Sequence, residues 1–402
     1  MSPDFETAKE QFLAGLACQQ AGGLADAELH YRRALTALPG RASTLTNLGA
    51  TLVQLGRPAE ALRFLEQAEA AAPGDLQACL HRGLALAALR RDDAALGCFA
   101  RVAAGSGTAA ARAAAWFEHA RCLARLEQPD AALESCRQAL ADGPEIAGGW
   151  ALRGSLLKDL GRQREAAQAL HRAIELGADT PMNRYLLASL ESRDAPPQPP
   201  PGYVEDLFDA YAATFDTHLM QTLRYQAPEL LAHAVAGLSR RFSSALDLGC
   251  GTGLCGPLLR PLVDHLEGLD LSAAMLALAR ERGVYDTLVQ GDITDLMQHS
   301  ERRFDLVVAA DVFIYIGELD AVWAAVRRVL RPGGIYCFSA ERADDPVAFE
   351  LRPSSRYAHS ESALRALSQR HGLLVRSLQH DTIRLDQGLP VAGLFFTLEA
   401  PG

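Results

Sequence analysis

Three glycines and three acidic residues mark where this chain could do chemistry. Asp247, Gly249, Gly251 and Gly253 stand two apart. They follow the apolar run Ala245 to Leu248 and precede a helix-like stretch, Leu254 to Leu262. The pattern predicts a strand, a tight turn and a helix N-terminus. Such an N-terminus offers unpaired N–H groups and partial positive charge. Glycine lets a ligand approach the backbone closely. Asp270 ends the next strand-like run, Leu266 to Asp270, 21 residues past Gly249. An acid at that distance grips a ribose hydroxyl. Asp292 follows a third strand-like run, Thr287 to Gln290. The arrangement suits a nucleotide-like ligand.

This set resembles the class I S-adenosylmethionine-dependent methyltransferases, over roughly residues 203–402. The resemblance implies an α/β Rossmann-like domain, with a seven-stranded, mostly parallel sheet closed by an antiparallel hairpin. It implies S-adenosylmethionine as cofactor and assigns it a set of residues. These are Asp247, Gly249, Cys250, Gly251, Gly253, Asp270, Leu271, Met275, Asp292, Ile293 and Asp311. In the family the glycine turn takes the methionine end, the acid at Asp270 the ribose, and the positions of Asp292 and Met275 the adenine. Dinucleotide-binding enzymes are the rival, but their fingerprint is G-x-G-x-x-G, whereas here the spacing is G-x-G-x-G. Packing by a small side chain is the plainer role for Cys250 and for Cys255.

The substrate side is less defined. Phe304 to Ala310 predicts a buried parallel strand, and ligands bind beyond the carboxyl ends of such strands. Asp311 to Tyr315 then faces the reacting centre. The stretch is not the Asn-Pro-Pro-Tyr type of amino-nucleobase methyltransferases, and no Pro-Cys nucleophile is present. His359, Tyr315 and Glu341 are the candidate catalytic residues, and His359 is the best base by residue type. Its plainer role is a surface or helix-capping histidine. Tyr211, His218, Arg356, Tyr357 and Arg384 are the candidate substrate contacts. Either arginine could grip a carboxylate in bidentate fashion. Tyr211 and His218 belong to an aromatic helix, Val204 to His218, that folds over the cofactor in similar enzymes; core packing is the alternative.

The elements that position these residues occupy only half of the 402-residue chain. In the first half Gly15, Gly49 and Gly83 recur every 34 residues. Ala27, Tyr31 and Ala34 follow the first, and Ala61, Leu65 and Ala68 follow the second at equal offsets. This resembles the tetratricopeptide repeat, in which stacked helical hairpins bury a shared apolar face. The expected plan is two domains. About five repeats and a closing helix fill 1–193, a Pro-rich linker spans 194–202, and the methyltransferase domain fills 203–402. The run Asp194 to Gly202 reads as a semi-rigid polyproline spacer. Tyr211 to Leu219 with Leu223-Arg224-Tyr225 looks like a bacterial group of methyltransferases carrying such repeats.

Composition narrows the partners. The net charge is −10, and residues 194–402 hold 18 basic against 27 acidic side chains, with no lysine. That argues against nucleic acid, which needs clustered cations. No apolar run is long enough to span a bilayer, and the N-terminus lacks signal-peptide regions. The eight cysteines form no C-x-x-C pair, which reads as buried reduced thiols, no metal site and a cytoplasmic protein. The expected function is methyl transfer to a protein, peptide or peptide-tethered group recruited by the repeats. The alternatives are a small-molecule methyltransferase whose repeats form a homodimer, and a non-catalytic scaffold.

Overall fold

A computed structural model describes residues 3–191, 195–386 and 388–402, apart from the side chain of Ala213. Two compact units divide between Asn183 and Arg184.

The first unit is a series of antiparallel helix pairs: α1 Pro3–Gln20 with α2 Leu24–Ala37, α3 Ala42–Gln54 with α4 Pro58–Ala71, α5 Leu76–Ala88 with α6 Asp92–Ala103, α7 Ala109–Arg125 with α8 Pro129–Asp142, and α9 Ala147–Asp159 with α10 Gln163–Glu175. The repeat period is explained by close packing. A Cβ on Gly49 of α3 would sit 2.5 Å from Leu65 Cγ on α4, and one on Gly83 of α5 would sit 2.8 Å from the Phe99 ring on α6. The small residue on one helix therefore receives the large residue of its partner. Ala27, Ala61, Ala95, Ala132 and Ala166 are all fully buried at the matching place in the second helix.

α11 Pro181–Glu191 crosses the division, which falls at 183/184 rather than at the expected 193/194. Its residues from Arg184 on belong to the second unit. The Tyr185 hydroxyl donates to the Ser355 carbonyl at 2.8 Å, and its ring lies against Tyr203 and Tyr357. The proline-rich run is docked at Pro196 and Pro197. The Pro197 carbonyl accepts from the Gly317 and Glu318 N–H groups, and the Pro196 carbonyl accepts from the Tyr357 hydroxyl at 2.8 Å. Proline lacks a donor but keeps its acceptor, so an extended proline run can still dock along polar partners. Ser192, Arg193 and Asp194 of the expected domain end and linker lie outside the described residues.

The second unit continues with α12 Tyr203–Thr217, a π-helical turn His218–Thr222, and α13 Ala227–Ala236. An alternating run comes next: β1 Phe242–Leu248, α14 Gly256–Leu259, β2 Val263–Asp270, α15 Ala273–Glu281, β3 Thr287–Gln290, α16 Ile293–His299, β4 Phe304–Ala309, α17 Asp320–Val329 and β5 Leu330–Ala343. It ends with β6 Phe349–Leu351, β7 Tyr357–Ser360, α18 Glu361–Arg370, β8 Leu374–Asp386 and β9 Leu389–Glu399. The parallel strands lie in the order β3-β2-β1-β4-β5. β9 pairs antiparallel with β5, and β8 with β9. Those seven strands are the expected sheet. The short strands β6 and β7 are extra and continue from the end of β5. Tyr357 to Ser360, expected as loop, is thus buried strand. Gln387, in the expected hairpin turn, lies outside the described residues.

The core forms on both faces of this sheet. Trp323, Tyr336, Phe338 and Phe396 pack on one side, and Leu231, Phe242, Leu266 and Cys337 on the other. No described helix is long and apolar enough to cross a membrane. Seven of the eight cysteines are buried and all are free thiols.

Candidate active site

The carboxyl ends of β1, β2 and β4 build the site. Leu248 registers with Leu269 of β2 and with Ala309 of β4, so the three strands end level. Beyond them Gly249, Gly251 and Gly253 all take left-handed backbone, with φ of 60°, 55° and 85°. L side chains are strained there. A Cβ on Gly249 would come 2.7 Å from Val312. One on Gly251 would meet only a Phe215 ring carbon, at 3.9 Å. The turn is crowded below and open where a ligand would lie. The helix after it is shorter than expected: α14 has four residues and a 3-10 turn continues it. So short a helix has little dipole, and the turn is held by other means.

Asp270 supplies them. One of its oxygens accepts from Gly251 N at 2.8 Å and the other from Ser272 N at 2.9 Å. The Cys250 N–H also donates to the Leu269 carbonyl. Burial pushes the Asp270 carboxyl upward, opposed by these N–H groups. Two ionised oxygens offer about four acceptor directions, so Asp270 keeps capacity for ligand hydroxyls. Asp247, buried one residue before the end of β1, accepts from the Tyr285 hydroxyl at 2.6 Å. Burial raises its carboxyl to about 7, and the Asp270 charge adds to this. Leu271 is half-buried. Ser272 caps α15 through Met275 N, with Met275 itself buried. Asp292 is exposed and caps α16 by accepting from Thr294 N and Asp295 N, beside the buried Ile293.

α12 lies against this turn. Its Asp209 accepts from the Ser272 hydroxyl, and its Asp216 accepts from the Thr252 hydroxyl and pairs with Arg282. Phe208 meets both Phe215 and Tyr315 edge-on, at 5.8 and 5.3 Å. Tyr211 contacts Phe215 and hydrogen-bonds His218. The two acids stand seven residues apart on one helix face, a spacing that could have singled them out. Tyr285 carried no such signal, because it comes from the loop between α15 and β3.

On the substrate side the arrangement departs from the sequence reading in three places. His359 is buried in β7, and its Nε2 faces the Phe313 carbonyl at 3.2 Å. A carbonyl only accepts, so this nitrogen carries the hydrogen. Burial lowers the ring to about 4, and the bond to the Phe313 carbonyl ties it to that turn. Tyr357 is fully buried, and its hydroxyl is spent on Pro196. Arg384 is 1% exposed and lies between Asp311 and Glu341, pairing with both. Those carboxylates hold it charged despite burial and leave it no charge for a substrate carboxylate. Glu341 also pairs with Arg352 at 3.2 Å, which sequence reading missed. Burial pushes Glu341 upward against both arginines. Tyr315 is pushed up by burial beside Arg356, and Arg356 lies 3.8 Å from Asp386.

Residues 246–338 match a family model described as a methyltransferase domain, and residues 42–75 one described as a tetratricopeptide repeat. A malonyl-[acyl-carrier protein] O-methyltransferase of Enterobacter lignolyticus is 36% identical over 121 residues, covering 30% of this chain and 47% of that protein. The mitochondrial arginine-hydroxylase NDUFAF5 of Danio rerio is 26% identical over 154 residues, 38% of this chain and 47% of that protein. The chain thus spans about half the length of these curated relatives. The N-methyltransferase NodS of Bradyrhizobium japonicum WM9, solved with S-adenosyl-L-homocysteine, aligns over 49% of this chain and 98% of its own, with 18% identity and a TM-score of 0.42. Part of the C-terminal half thus matches a methyltransferase domain, and part of the N-terminal half matches a tetratricopeptide repeat.

Proposed function

We propose that this chain is an S-adenosylmethionine-dependent methyltransferase whose repeats recruit a protein, peptide or peptide-tethered acceptor. The observation that carries the reading is the double anchoring of Asp270 to Gly251 N and Ser272 N. It sets an acid with spare acceptor capacity beside a glycine turn whose outer side is open. The residues present fit the cofactor. Gly249, Gly251 and Gly253 would admit its amino-acid end, Asp270 its ribose hydroxyls, and Asp292 with Met275 its base.

The cofactor supplies an electrophilic methyl group on a positively charged sulfur. The chain's own part is alignment and exclusion of water. α12 serves both ends, because Asp209 and Asp216 anchor it to the turn while Phe208 and Phe215 form an apolar cover. The hydroxylase among the relatives is the reason to test the reaction and not only the fold.

Titration of the full-length protein with S-adenosyl-L-homocysteine, and separately with NAD, tests the cofactor. Heat with the first and none with the second is expected; the reverse would favour the dinucleotide reading. Tritiated methyl transfer into an extract of matched cells, separated by size, tests the acceptor. Label on macromolecules supports recruitment through the repeats. Label confined to the small-molecule fraction favours the dimeric small-molecule alternative.

A further inference from the structure

Asp311 occupies an unusual place. It stands two residues past the end of β4, one step beyond the level of the glycine turn. Its φ is 58°, a left-handed backbone that is uncommon outside glycine and that Asp tolerates better than most. Neighbouring contacts hold it there. Its N–H donates to the Ser339 hydroxyl at 2.9 Å, and the next residue, Val312, lies against Gly249. Its Oδ2 pairs with Arg384.

The other oxygen is the anomaly. Asp311 Oδ1 is buried and has no hydrogen-bond partner among the described residues. The side chain as a whole is 10% exposed. An unpaired buried carboxylate oxygen is costly. The rest of the cluster is nearly saturated. Glu341 uses one oxygen on Arg384 and the other on Arg352. Arg384 uses both terminal nitrogens on Asp311 and Glu341, and only its Nε is left over. Within this cluster, therefore, the one free acceptor is Asp311 Oδ1.

We propose that Asp311 Oδ1 receives the N–H or O–H of the methyl acceptor, so that the nucleophile is an amine or hydroxyl and not a carboxylate. Arg384 is a positioning residue. It holds the opposite oxygen and aims the free one, and is itself held by Glu341. A carboxylate acceptor would bring no hydrogen to Oδ1 and would set its own charge directly against that of Asp311. An amine or hydroxyl brings the hydrogen that Oδ1 lacks. As the acceptor's nitrogen or oxygen gains the methyl, the carbon–sulfur bond breaks and the sulfonium charge is discharged. The acceptor's proton passes to Asp311 and then to water. The inference rests on the methyltransferase reading.

The test uses the full-length protein and the Asp311→Asn variant, which removes the charge and keeps the size. Calorimetry with S-adenosyl-L-homocysteine should give an affinity within about threefold of wild type, because Asp311 faces the acceptor. Incorporation of tritiated methyl into matched-cell extract should fall at least about 100-fold. Label placed by the wild type should survive mild base, which releases carboxyl methyl esters as methanol. Arg384→Lys, which keeps a charge beside Asp311, should transfer more methyl than Arg384→Gln. If Asp311→Asn melts early, the pair Asp311→Asn with Arg384→Gln removes both charges and is assayed in its place.

Base-released label, an Asp311 variant with wild-type transfer, or one that loses cofactor affinity more than about 30-fold would each overturn the inference. So would a wild type that binds the cofactor homologue yet places no base-stable label in any fraction. A wild type that binds no cofactor homologue defeats the function proposed above instead.

Discussion

The carboxylate of Asp270 accepts a hydrogen bond from the backbone N–H of Gly251 at 2.8 Å, so the acid ending β2 is tied to the turn ending β1. The second oxygen is tied to Ser272 N, at the start of α15. One side chain thus sets the turn, the helix entry and the ligand-facing acceptor together.

Removing it should therefore weaken the cofactor site in two ways. Asp270→Ala is expected to cost about 1.5–3 kcal/mol of binding, the scale of a charge-assisted hydrogen bond. That is roughly one to two decades in Kd. Calorimetry with S-adenosyl-L-homocysteine reads it directly, and unchanged affinity would show that another group holds the ribose.

Asp247 should make the protein less stable as pH rises. Its carboxyl is raised to about 7 by burial, against an ordinary value near 4 in the unfolded chain. Between those values the folded state holds a proton that the unfolded state has lost, so stability falls from about pH 4 to 7 and levels off above. Asp247→Asn keeps an acceptor for Tyr285 and has no proton to lose. Its thermal midpoint should match wild type near pH 4 and exceed it increasingly up to pH 7. A constant gap across that range would contradict the shift.

His359→Gln should retain methyl transfer within about fivefold. The amide nitrogen of glutamine can donate to the Phe313 carbonyl as Nε2 does. A loss beyond about 100-fold in an otherwise folded variant would reinstate the histidine as a base.

Truncation should respect the division at 183/184. A fragment starting at Arg184 keeps the Tyr185 bond to Ser355 and the docking of Pro196 and Pro197. One starting at Tyr203 loses them. The longer fragment is expected to melt several degrees higher, since about 1 kcal/mol shifts a domain of this size by roughly 2–4 °C. Equal midpoints would mean that the proline run adds nothing to this unit.

The parts legible in the chain were those governed by local rules. Glycines at spacing two after an apolar run permit the left-handed backbone that a tight strand-to-helix turn needs. The 34-residue recurrence of Gly15, Gly49 and Gly83 reports close helix packing repeated along the sequence. The alternation of apolar runs and helical stretches specifies a parallel sheet. Long-range pairing could not be read this way. Arg384 meets Asp311 and Glu341 because β8 and β5 flank β9, and no spacing between residues 73 and 43 positions apart encodes that. His359 and Tyr357 looked like loop residues because they follow the turn-forming run Pro353-Ser354-Ser355, yet pairing of β7 with β5 and β6 buries them. Burial in turn lowers the His359 ring, which in water titrates near neutrality, against the opposing pull of the Phe313 carbonyl.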